Sequence, residues 1–269
     1  MVIRDTIFAD AVAAIDTGNV AKLDGLISQY PNLVCDRLQT GEPGYFADPY
    51  LLWFIAENPI RSGRLPANIV EIAMAITDHL DALAPPSRQS QLDYAVALVA
   101  TGRIPRESGV QIALIDALIA RGAQPSELDS TVAHTEMEAA RRLIHHGAAV
   151  TLAAALALGL DVDAQRLLPR AHAPAKADAL VITASMGLAS AVRTLLDADA
   201  DPNLRSAQLH SHASALHQAA LYGHDEVCAL LVNTGASLTA RDSMWNGTPS
   251  GWAAHAGHEA LAQRLKPSR

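Results

Sequence analysis

Aromatic side chains are scarce, at 4% of the chain, although half of its residues are apolar. A core of sandwiched strands draws on aromatic and β-branched residues, so that architecture is excluded. Cysteine is nearly absent: Cys35 and Cys228 lie far apart, and no disulfide framework is indicated. Cys228 falls on the apolar face of a helical stretch and reads as a small buried hydrophobe. Long apolar runs are missing too. The longest uncharged one, 150–160, is about half of what a membrane-crossing helix needs. The opening MVIRDTIFADAVAAID sets acids inside its apolar run and lacks a signal-peptide cleavage pattern. A soluble, cytoplasmic protein is the expectation. Basic residues number 20 against 28 acidic ones, a net charge of −8, and form no stripe, which argues against a nucleic-acid partner. The same balance favours a neutral or basic partner.

Catalytic signatures are also lacking. There is no Gly-x-Ser-x-Gly elbow, no Gly-rich phosphate loop and no His-Glu-x-x-His. No catalytic residue, cofactor or resident metal is expected, and the protein reads as non-enzymatic.

What the chain does contain is alanine and leucine at helical spacing, punctuated by glycine. The clearest stretch is SALHQAALYGHDEVCALLVNTGASLTARD, residues 214–242. Ser214 is a suitable N-cap, and Leu216, Ala219 and Ala220 line an apolar face. Gly223 closes the first helix, because glycine alone takes the left-handed C′ conformation without a Cβ penalty. Val227, Leu230 and Leu231 repeat the pattern on a second helix, and Gly235 closes that one. Such a helix pair cannot bury its apolar face alone.

Ser-Ala-Leu-His-Gln-Ala-Ala, followed by Gly-His and by Leu-Leu-x-x-x-Gly-Ala, resembles the ankyrin repeat, with its Thr-Pro-Leu-His-x-Ala signature and period of about 33 residues. Gly187 and Gly223 are 36 residues apart, and Gly223 and Gly257 are 34 apart. Lys176 to Asn203 follows the pattern with Asp199 in place of the closing glycine, a swap that aspartate tolerates in the left-handed region. Thr248-Pro249 opens a last unit in which Trp252 fills the space of a lost leucine.

Upstream the pattern loosens. Residues 8–33 read as a capping pair, with Asn19 as a cap and Asp16, Lys22 and Asp24 facing water. After Pro49, Tyr50–Ala56 resumes a helix that Asn58-Pro59 breaks, and Asn68 caps another through Asp81. Residues 91–123 form a unit carrying an insertion at 103–108. Shortened units follow at 130–148 and 151–171, and the 25-residue spacing from Gly122 to Gly147 reflects that truncation. The fold class is therefore all-α: a solenoid of about six to eight helix pairs with short β-hairpin loops. It is irregular over 1–176 and regular over 177–269, in one continuous domain.

The resemblance implies a scaffold that binds a protein on its concave face. In that family, partners touch the hairpin tips and the ends of the first helices. Here those positions include His134, Met186, Tyr222 and His255 on the helices, and Arg241, Met244 and Trp245 at the tips. Tyr222 and Trp245 stand out, since aromatics combine contact area with a polar handle. Trp245 has a second reading, as a lid over the last unit's core. The histidine of the signature, His217, is expected to hold its turn by hydrogen bonds, and His224 and His258 are expected to be architectural.

One upstream region has two readings. Trp53, Glu57, Asn58 and Arg61, with Arg103, Arg106, Glu107 and Gln111, form either a salt-bridged loop or a polar recess with an exposed Trp53. The recess would suit a charged peptide or small ligand. The His210-Ser211-His212 loop is the corresponding alternative for a metal. The partner's identity and the oligomeric state are not legible, with a monomer favoured.

Overall fold

The computed structural model describes residues 5–39, 47–206, 209 and 212–267. They are all-α, and among them no strand occurs: the segments between helix pairs are turns and irregular loops. The helices divide between two compact units, one of residues up to 127 plus 136–149, the other of 128–135 plus 150–269.

In the first unit, α1 (Thr6–Asp16) and α2 (Val20–Gln29) form the opening pair, followed by the single turn α3 (Asn32–Cys35). Asp5 caps α1 by accepting from the backbone N–H groups of Ile7 and Phe8, and Asn19 caps α2 through Lys22 N at 3.0 Å. A 3₁₀ turn, η1 (Leu51–Ala56), then leads to α4 (Ile69–Leu83), α5 (Arg88–Ala100), α6 (Arg103–Glu107) and α7 (Gln111–Ala120). The first elements of successive pairs pack in chain order, α1 on η1 and η1 on α5. The second elements do the same, α2 on α4, α4 on α7, and α7 on α9 (Met137–His145). Between α7 and α9 the chain forms α8 (Leu128–Ala133), which belongs to the second unit.

Three features differ from expectation here. Residues 51–56 wind as 3₁₀ rather than α, because Pro59 has no N–H for the carbonyl four residues before it and Glu57 turns left-handed at φ 54. The insertion at 103–108 is itself a short helix, α6. Asp16 does not face water. It takes a bidentate contact from Arg61, with Nη2 at 2.6 Å and Nε at 2.9 Å.

In the second unit, α10 (Leu152–Leu158) pairs with α11 (Asp161–Leu167), and a 3₁₀ turn, Leu168–Arg170, leads on. Then α12 (Ala173–Ser185) pairs with α13 (Ala189–Asp197), α14 (Ala215–Leu221) with α15 (Asp225–Asn233), and α16 (Pro249–His255) with α17 (Glu259–Arg264). The first helices make a continuous row: α8 on α10, then α12, α14 and α16 in order. Three of these starts are built from short polar caps. Thr151 accepts from Ala154 N, Thr248 from Gly251 N ahead of Pro249, and Ser214 forms a capping box with His217. Ala179, Ala184, Ala215, Ala219, Ala220 and Ala253 are fully buried along this row, so its backbones approach closely around Leu180, Ile182 and Leu216.

The pairs are also pinned to one another. Gly187 ends α12 at φ 72, and the imidazole of His224 lies where its side chain would be: a Cβ there would come within 2.6 Å of the ring. His224 Nε2 donates to Ser185 O at 2.9 Å, tying α15 to the end of α12. Gly223 and His258 repeat the arrangement one unit later, again with 2.6 Å between a built Cβ and the ring. Asp199 adopts φ 59, the left-handed conformation expected of it.

Candidate functional site

The polar region of the first unit is a closed framework. Trp53, which the recess reading would leave exposed, is 6% exposed. Tyr50 and Tyr94 pack against its ring, and its indole N–H donates to Gln91 O at 3.2 Å. Glu57 is 1% exposed, and its carboxylate accepts from Arg61 N and Ser62 N at 2.6 Å, from Ser62 Oγ and from Gly63 N. A chain reversing direction after a broken helix leaves backbone donors without helical partners, and Glu57 satisfies them. Arg106 and Glu107 are exposed, yet Arg106 Nε reaches the buried Glu136 at 3.0 Å. Gln111 Nε2 donates to the same carboxylate and to the carbonyls of Val99, Ala100 and Gly102. Arg103 pairs with Glu107 at 2.7 Å. Of the two readings of this region, the geometry is that of the salt-bridged loop. An exposed tryptophan in a recess is not formed.

The second unit presents its apolar groups differently. Trp245 is 66% exposed, Met244 63% and Tyr222 53%. Trp245 and Met244 crown the loop between α15 and α16, and one buried carboxylate holds that loop together. Asp242 Oδ1 accepts from the N–H of Met244 at 2.9 Å and of Trp245 at 2.6 Å. Its Oδ2 accepts from Gly247 N at 2.7 Å and from the indole N–H of Trp252 at 3.0 Å. Burial alone would raise this carboxyl, but the Trp245 N–H, the Trp252 indole and the other two donors outweigh it and hold it well below the usual carboxylate range.

Trp252, buried in α16, forms the floor beneath the exposed indole. Its ring lies 5.7 Å from that of Trp245 in an edge-on contact, with His212 5.4 Å from Trp245 and 5.7 Å from Trp252. The core of the last pair is therefore sealed by Trp252, and Trp245 stands above the seal. His217 completes the support. Its Nε2 donates to Gly247 O at 3.2 Å, while Nδ1 accepts from Ser214. Burial, aided by the charge of Arg205, lowers the imidazole's pKa and keeps it neutral, against the raising influence of Gly247 O and Asp242.

The remaining expected positions fall in one series. Exposed His134, half-buried Met186, Tyr222 and exposed His255 sit at or just beyond the ends of α8, α12, α14 and α16. The loop at 210–212 lies partly outside the described residues, where His210 and Ser211 fall; His212 is packed against the two tryptophan rings. Among the described residues no cluster of three or more His, Cys, Asp or Glu side chains is placed to hold a metal ion. Asp242, Glu136 and Arg205 were not foreseen. For Asp242 a signal existed: an aspartate shortly before Asn246-Gly247 is placed to accept the backbone donors of its own turn.

This geometry of capped pairs, glycine closures and a histidine-bearing first turn defines a repeat protein. The family model for "Ankyrin repeats (3 copies)" matches residues 113–242 and 180–268, together more than half of the chain. The protein belongs to the ankyrin-repeat family. No curated protein matches it. Repeats of this family generally mediate protein–protein interaction. No helix among the described residues is long and apolar enough to cross a membrane.

Proposed function

We propose that the protein is a non-enzymatic scaffold whose second unit docks a protein partner along the row of first helices, the concave side in ankyrin arrays. The carrying observation is the exposure of three large apolar side chains, Tyr222, Met244 and Trp245, the last two on backbone held by Asp242. A side chain held in place before binding loses little entropy when it is covered, and aromatics so placed dominate interface energetics. Met186 and His255 flank Tyr222 in the series of helix ends, with His134 further along it. Trp245 marks the opposite ends of the same helices, about 10 Å away at 1.5 Å per residue.

The test is a pull-down comparing the wild type with a Tyr222→Ala/Trp245→Ala double variant. Proteins captured by the wild type are expected to be lost from the variant. Equal capture by both would place the contact elsewhere.

A further inference from the structure

We propose that the tip of the second unit takes an acidic peptide segment carrying an apolar or aromatic anchor, with the anchor on Trp245 and Met244 and the carboxylates on Arg205 and Arg241. The proposal rests on the docking reading above and adds the chemistry of the partner.

Two guanidinium groups meet at this loop. Arg205 Nη2 donates to Arg241 O at 2.5 Å, and Arg241 Nη1 donates to Asn246 O at 2.6 Å. Both side chains are thus fixed by neutral carbonyls, and neither has a carboxylate partner among the described residues. Three other arginines of the unit are neutralised: Arg166 by Asp163 at 2.7 Å, Arg264 by Asp225 at 2.5 Å, and Arg193 by Glu226 at 3.6 Å. The acid closest in sequence, Asp242, is buried and its two oxygens are committed to four donors. The tip therefore carries two guanidinium charges against the single buried charge of Asp242, a local positive balance on a chain of net charge −8.

Each guanidinium offers five donors in a planar fork that matches a carboxylate, and one bond to a carbonyl leaves most of them available. Exposed Met244 and Trp245 follow Arg241 within a few residues, so charge and apolar surface are presented together. A basic segment would be repelled here. A neutral one would leave the guanidiniums unanswered while covering the indole. The overall acidity of the chain, which favours a neutral or basic partner, is overridden locally, because potentials at an interface are set within about a Debye length of 8–10 Å.

The experiment pans random peptides displayed on phage against the full-length protein, then measures synthetic copies of the enriched sequences by fluorescence anisotropy. Enrichment of Asp and Glu beside Leu, Phe or Trp is expected. Affinity should fall about tenfold with Arg205→Gln/Arg241→Gln and about 30-fold with Trp245→Ala. Because glutamine also disturbs the carbonyl bonds, the Arg205→Lys/Arg241→Lys variant is the control: it keeps the charge and should retain most of the binding. Raising NaCl from about 0.05 to 0.5 M should weaken the wild-type complex without any substitution.

Enriched peptides that are neutral or basic, acidic peptides indifferent to the arginine-to-glutamine change and to salt, or no enrichment at all would overturn the proposal. Neutral peptides that still require Trp245 would remove the acidic chemistry and leave the docking surface standing. Peptides indifferent to both Trp245→Ala and Tyr222→Ala would remove both.

Discussion

The buried indole of Trp252 donates to Asp242 Oδ2 at 3.0 Å, and through that carboxylate the core of the last repeat sets the position of an exposed loop. Trp245, whose backbone N–H is held by the other oxygen of the same group, projects from it. Trp252→Phe keeps an aromatic ring, smaller than the indole, and removes the donor. Stability is expected to fall by about 1–3 kcal/mol, the usual cost of depriving a buried polar group of its partner. Urea unfolding followed by circular dichroism measures it. Trp245→Ala, which strips an exposed ring, should change stability by less than about 1 kcal/mol. A larger loss would return Trp245 to the role of a lid.

Acid should undo this region in two stages. His217 has its folded pKa lowered, so the unfolded chain takes up its proton first. Its contribution is present above the unfolded value of about 6.5 and is lost as pH falls through the folded one. Asp242 is depressed likewise. Its contribution is complete above about pH 4 and is lost as pH falls further. Urea midpoints measured from pH 8 to pH 3 should decline along both limbs. Asp242→Asn should be less stable at neutral pH and flatten the lower limb, and His217→Gln should flatten the upper one.

Arg106 separates a structural role from a binding one. Arg106→Ala strands the buried Glu136 with Gln111 as its remaining side-chain donor. A loss of about 1–3 kcal/mol in urea unfolding is expected, below the 3–5 kcal/mol seen for fully buried pairs because Arg106 is itself half exposed. Adding Glu136→Gln should recover part of that loss. No recovery would mean that Arg106 acts some other way.

The glycine–histidine contact makes a clean comparison. Gly187 and Gly159 have nearly the same backbone, φ 72 and 67, but a Cβ at Gly159 meets nothing within 4 Å. Gly159→Ala should therefore cost about 1–2 kcal/mol for left-handed backbone alone. Gly187→Ala should cost clearly more, and His224→Ala combined with it should cost less than the sum of the two single changes. Additive losses would show that the ring moves aside freely.

Thiol reactivity tests the core. Burial pushes the Cys228 thiol up to about 12, and it is inaccessible within α15, whereas Cys35 is half-buried, its thiol raised by burial and by the charge of Asp36. At pH 8 a thiol reagent should modify Cys35 slowly in the native protein and reach Cys228 only on unfolding. Rapid modification of both would mean that the helix pair opens.

The second unit was largely legible because its information is local. Ser214, Gly223, Gly235 and Asp199 each serve their own turn, and a cap or a left-handed closure needs only its neighbours in sequence. Asp16 and Trp53 were harder to place because their surroundings come from elsewhere: Arg61 reaches back 45 residues to Asp16, and Gln91 supplies a carbonyl to Trp53 across 38. Nothing in the residues around Trp53 announces such a partner. At the loop tip, Trp245 was legible as an aromatic between turn residues. The bare charge of Arg205 and Arg241 was not, since it depends on which acids are already occupied.

The seat that Gly187 leaves for His224, and Gly223 for His258, links each of the last two repeats to the one before it. A segment copied or excised within this stretch preserves the stack only if it carries a bare glycine forward for its successor's imidazole and an imidazole of its own for its predecessor. Lengthening or shortening of the array by whole periods meets that condition automatically. A change by a fraction of a period does not.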